Sequence, residues 1–148
     1  MLYQIKLFFS IVFFFVSNTF FLQEDPVKWD VNQNKNDNVI EFTAVIDSSW
    51  HLYAVYLPNP NEGPLPTEFH FSENENFNFI GNVIESKPNT VFDENFGIQV
   101  SYFENNAHFK QKIEVLDESL LQIKIAYMVC NEQMCIPFEK TYELNLEI

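Results

Sequence analysis

At 148 residues the chain has room for one domain and not comfortably for two. Its 47% hydrophobic content can fill a sizeable core without a disulfide, and 17 Phe against 3 Gly favour pleated, half-buried strands over helices. With 21 acidic residues against 8 lysines and no arginine, a formal net charge of −13 repels phosphate backbones and anionic lipid surfaces, which argues against nucleic acid as a partner.

Lys6 precedes an apolar run over residues 7–16 (LFFSIVFFFV), followed by Ser17, Asn18 and Thr19. The run is shorter than the roughly 20 apolar residues that span a bilayer, and its position suits a secretory signal. A signal peptide over residues 1–22 is therefore expected, with a domain over 23–148; no A-x-A pattern marks the cleavage point. The alternative is an uncleaved anchor reaching Leu22. Both imply export to an oxidising compartment, where paired cysteines persist as disulfides.

Beyond this segment, period-2 alternation predicts strands and nothing suggests a 3.6-residue repeat. Strands are expected at 27–31 and 39–46, the latter with Ile40, Phe42, Ala44 and Ile46 on one face. Asp47, Ser48 and Ser49 read as a turn into a strand at 50–57, making a hairpin. Pro58, Pro60, Pro64 and Pro66 mark an extended loop that cannot enter a sheet centre. Further strands are expected at 67–71, 77–84, 98–103, 107–115, 120–129 and 138–148, whereas 87–97 (KPNTVFDENFG) reads as a loop. Seven to nine short strands with turns between them predict an all-β, antiparallel β-sandwich.

The chain's only cysteines, Cys130 and Cys135, lie in YMVCNEQMCIPF between the last two strands. A disulfide here would close a loop of six residues and stabilise by about 2 kcal/mol on the chain-entropy model. One well-buried Leu or Phe contributes as much. The spacing is too short to staple distant strands across a sandwich core, so redox couple and structural staple both stand at this point. Zinc is disfavoured, because His51, His70 and His108 lie far from the pair in sequence. Soft Cu(I) could use Met128, Cys130, Met134 and Cys135, although both methionines suit ordinary packing. Two cysteines this close in an exported chain point to thiol–disulfide exchange rather than to a hydrolase.

YMVCNEQMCIPFEK, together with FDENFG upstream and WHLY earlier, resembles the periplasmic N-terminal domain of DsbD, a transmembrane disulfide reductase, over essentially the whole exported chain. The resemblance implies an immunoglobulin-like sandwich and a protein-disulfide reductase activity that needs no cofactor or metal. It implies that Cys130 and Cys135 relay reducing equivalents, with Cys135 attacking the partner and Cys130 resolving the mixed disulfide. The implied acceptors are periplasmic disulfide isomerases and the thiol carriers of cytochrome c maturation. A cap loop shields the cysteines in that family. The matching segment here is Asp93, Glu94, Asn95, Phe96 and Gly97, with Phe96 as the shielding ring and Phe92 as a substitute. Asn95 stands where some members carry a first aromatic. His51 and Tyr53 match aromatic positions lining the family's site, and Tyr127 matches a strand tyrosine. The four-residue spacing between the cysteines is five in some members. The chain ends at Ile148, so a thioredoxin-fold donor and a membrane-embedded electron transporter are expected on separate chains, with the protein itself a monomer.

Overall fold

The computed structural model describes residues 24–148, and the expected signal segment lies outside the described residues. Among the described residues ten strands run in order: β1 (Val27–Asn34), β2 (Val39–Ile46), β3 (His51–Tyr53), β4 (Glu68–Phe71), β5 (Phe77–Glu85), β6 (Asn89–Asp93), β7 (Ile98–Phe103), β8 (Asn106–Val115), β9 (Ser119–Cys130) and β10 (Cys135–Leu146). One sheet is ordered β1-β2-β8-β5. The other is β10-β9-β3-β7-β6, with β4 docked beside β3 on the same edge of β9. All pairings are antiparallel, and the two sheets form the expected sandwich. No helix among the described residues is long and apolar enough to cross a membrane.

The alternation predicted for β2, β8 and β9 is what fills the space between the sheets. Ile40, Phe42, Ala44 and Ile46 meet Ala107, Phe109 and Ile113 from β8 and Leu121, Ile123, Ile125, Tyr127 and Val129 from β9, all nearly inaccessible. Aromatic rings knit the centre: Trp29 lies 5.6 Å from Phe109 and 5.9 Å from Phe69, and Phe42 lies 4.6 Å from Phe69. The fully buried rings of Phe42 and Phe109 contribute about 1.5–3 kcal/mol each, so the core needs no covalent support.

Three expectations are corrected. The segment 39–57 is not a hairpin: β2 pairs with β1 and β8, whereas β3 pairs with β7 and β9 in the opposite sheet. Ser49, at φ 69°, turns the chain across the sandwich instead of back along it. Strand 50–57 is cut to three residues: Ala54 still donates to Ser101 of β7, but Val55 and Tyr56 donate to the Glu85 carboxylate rather than to a strand. Finally, the expected loop 87–97 holds the edge strand β6, which raises the strands above the expected seven to nine.

Candidate functional site

The alternation of β9 decides where the cysteines point. Tyr127 and Val129 face the interior, so Met128 and Cys130 face outward. Cys130 is the register partner of Cys135 across the β9–β10 hairpin, with 4.0 Å between Cα atoms, and the two form a disulfide. The connecting turn is held by Asn131. Its side-chain oxygen accepts from the backbone N–H of Gln133 (2.8 Å) and Met134 (2.9 Å), and its own N–H donates to Met134 O. The pair is asymmetric. Cys130 is 2% exposed beneath a small outer cluster with Tyr53 and Val100, whereas Cys135 is exposed at the hairpin tip.

Facing this tip is the turn between β6 and β7. The Asp93 carboxylate accepts from the N–H groups of Asn95 (2.8 Å) and Phe96 (3.1 Å), and Gly97 N donates to Asp93 O at 2.7 Å. Gly97, at φ 70°, supplies the left-handed residue this tight turn requires. The Phe96 ring meets the Tyr53 ring edge-on at 6.5 Å. The proline-rich loop braces the same place, since a Cβ on Gly63 would stand 2.6 Å from Ile98 Cδ1. Between cap turn and cysteine tip lies a cleft of about 270 Å³, lined by His51, Tyr53, Asp93, Phe96, Cys130 and Cys135 among others.

The structure thus gathers Cys130, Cys135, Phe96, Asp93 and Tyr53 around one cleft. Glu94 sits exposed on the cap turn and is not among the lining residues, and neither is Phe92, which is 59% exposed on β6. Tyr127 belongs to the core: its ring lies 5.4 Å from Trp29, and its hydroxyl donates to Asp25 at 2.5 Å. Burial and that carboxylate push its pKa upward.

His51, matched by the family resemblance to a position lining the site, lines the cleft and lies beside the cysteine pair. It is the register partner of Cys130 on the other edge of β9, and its Nε2 lies 3.2 Å from the Tyr53 hydroxyl. Its ring lies 4.7 Å from that of Tyr102. Burial holds the imidazole pKa below its ordinary value, against the opposing pull of Glu104 and Asp93. Tyr53 is pushed up to about 12, by burial first and then by Asp93 and Tyr102, so it stays a neutral phenol. The WHLY alternation puts His51 and Tyr53 on one face, in keeping with the site-lining positions that the family resemblance gives them. Among the described residues no group of three His, Cys, Asp or Glu is arranged to hold a metal ion.

A cysteine pair of unequal exposure at a hairpin tip, facing a carboxylate-tied aromatic turn, can be compared with known families. The family model described as "Thiol:disulfide interchange protein DsbD, N-terminal" matches residues 18–147. The chain belongs to this DsbD N-terminal family. Among the solved structures that share its fold are two from one organism. One is the DsbD N-terminal domain of Neisseria meningitidis in the reduced form: 14% identity, TM-score 0.60, covering 81% of this chain and 85% of that one. The other is the complex between the DsbD and PilB N-terminal domains of the same organism: 13% identity, TM-score 0.61, covering 85% and 88%. No curated protein matches. Thiol–disulfide interchange is the general chemistry of the DsbD N-terminal family, and the paired cysteines here supply the groups it needs.

Proposed function

We propose that the chain is an exported, periplasmic thiol–disulfide exchange protein that passes reducing equivalents through Cys130 and Cys135. The observation that carries this reading is the unequal exposure of two bonded cysteines in a hairpin that does not depend on their bond. All 12 residues of β10 pair with β9, so a six-residue covalent loop adds only about 2 kcal/mol to an existing ladder. Exchange needs one sulfur that a partner can reach and one held in reserve.

In the delivering direction the Cys135 thiolate attacks a sulfur of the partner's disulfide. The partner's S–S bond breaks, and its second sulfur leaves as a thiolate that takes up a proton. Cys130 then loses its proton and attacks Cys135 Sγ. The Cys130–Cys135 bond re-forms as the mixed disulfide breaks, and the partner's first sulfur leaves as a thiolate that takes up the second proton, so the partner departs as a dithiol. Two electrons and two protons have passed to it. The reverse sequence reloads the pair from a donor. Asp93, Glu94, Phe96 and Tyr53 form the cap and the partner-binding rim, with Phe96 limiting approach to the sulfurs. Partners of the thioredoxin fold fit this role, served by a membrane-embedded electron transporter on a separate chain. Neisseria DsbD and PilB domains form a complex, which supports a protein partner for this chain. Disulfide isomerases and the carriers of cytochrome c maturation are the acceptors the family resemblance suggests.

The test is covalent trapping. Reduced Cys130→Ser protein, mixed with oxidised thioredoxin, should accumulate a complex through Cys135 that dithiothreitol dissolves, and Cys135→Ser should not. Trapping by Cys135→Ser alone would reverse the two roles. If neither variant traps, and the pair titrates below about −300 mV, the disulfide is an inert staple.

A further inference from the structure

We propose that His51 accepts the Cys130 thiol proton in the resolving step, so that strand β3 supplies the base for the second half of the exchange. This rests on the exchange reading above and adds a residue to it. Cys130 is 2% exposed, and a thiol in apolar surroundings resists ionisation, yet it must become a thiolate to release a bound partner. His51 is directly opposite Cys130 in the β3–β9 ladder, where side chains on one face stand about 5 Å apart, and both line the cleft.

The other groups around the imidazole are less suited. The Asp93 carboxylate, from the cap turn, is tied to two backbone N–H groups. Tyr53 on β3 and Tyr102 on β7 hold their protons, both with pKa values pushed upward by burial. Glu104, following β7, and Glu132, in the cysteine turn, are exposed. Cys135 is covalently occupied by the partner at that stage. His51 itself is half-buried and, with its pKa held low, is neutral at pH 7 and free to take a proton. In the tautomer whose Nε2 hydrogen is donated to the Tyr53 oxygen, 3.2 Å away, Nδ1 is the acceptor. The proton moves from Cys130 Sγ to that nitrogen as the sulfur attacks Cys135 Sγ, and His51 later returns it to solvent.

The experiment uses the reduced protein and one equivalent of dithionitrobenzoate, an aromatic disulfide that releases a coloured thiolate. A first phase reports attack by Cys135, and a second reports resolution by Cys130. The wild-type second phase should be flat between pH 7 and 8, because a neutral base already serves it. In His51→Gln it should slow about 100-fold at pH 7, the low end of general-base contributions, and then rise about tenfold per pH unit. The first phase should stay within about twofold. Tyr53→Phe, which keeps the ring and removes the Nε2 partner, should move the acid-side midpoint of the second phase. A second phase with the same rate and pH profile in wild type and His51→Gln overturns the role of His51 while leaving exchange intact. Release of neither thiolate by wild type overturns the exchange reading itself.

Discussion

The Asp93 carboxylate is predicted to act on the redox pair through the shape of the cap rather than through its charge. Its two bonds to the Asn95 and Phe96 N–H groups are what tie the Phe96 backbone into the turn opposite Cys135. At about 0.7 kcal/mol each, within the usual net range, they hold the turn closed by about 1.4 kcal/mol, which is one factor of ten in population. Asp93→Ala should therefore raise the rate at which a small aromatic disulfide oxidises the reduced pair by about tenfold at pH 7, measured by stopped-flow absorbance. Asp93→Asn keeps an acceptor oxygen and loses the charge, and its rate should stay within about twofold of wild type. Phe96→Ala, which removes the ring and leaves the turn, should match Asp93→Ala. Equal acceleration by Asp93→Ala and Asp93→Asn would mean that the negative charge, by disfavouring the thiolate, is what slows the pair. No acceleration by either Asp93→Ala or Phe96→Ala would remove the cap as a barrier.

Two predictions concern stability. The Cys130→Ser/Cys135→Ser protein should stay folded and lose about 2 kcal/mol, a fall of roughly 5–10 °C in melting temperature by calorimetry; failure to fold would make the disulfide a structural necessity. Glu85 is half-buried, and burial raises its pKa despite the bonds it accepts from Val55 and Tyr56. A carboxyl whose folded pKa is raised favours the fold most below its unfolded pKa and loses that contribution as pH rises through the folded value. The melting temperature of wild type relative to Glu85→Gln should thus decline as pH rises above the ordinary carboxylate value of about 4, and a flat difference would contradict this.

Much of the fold could be read from the chain because its central strands bury one face each. Ile40 through Ile46 and Leu121 through Val129 alternate, and period 2 is the direct consequence of a one-sided strand. Strand β6 escaped because it buries neither face: Val91 is 40% and Phe92 59% exposed, and its order comes from pairing with β7. The turn at Asp47, Ser48 and Ser49 has the composition of a hairpin, yet the φ of Ser49 sends the chain to the other sheet, a choice that composition does not encode. The cysteine pair and the cap turn were legible as motifs. Glu94 and Asp93 look equivalent in sequence, and only the turn, which engages the Asp93 oxygen, separates them. The pairing of His51 with Cys130 links distant parts of the chain through a register that local patterns do not contain.

The same period-2 rule explains why this disulfide is suited to being broken. Facing inward, Cys130 would be packed among Phe, Ile and Leu side chains, and a bond there would bridge the two sheets. Facing outward, it joins neighbours in one sheet and is covered only by the small cluster of Tyr53 and Val100 with its fringe. Opening the bond exposes no core and unpairs no strand, because the β9–β10 ladder runs its full length without it. The bond therefore changes the fold's stability little whether open or closed, and the free energy of exchange is left to the sulfurs and their partner. On the proposed reading the edge hairpin β6–β7 protects the outer face, with a turn that two hydrogen bonds hold and that a docking partner would open.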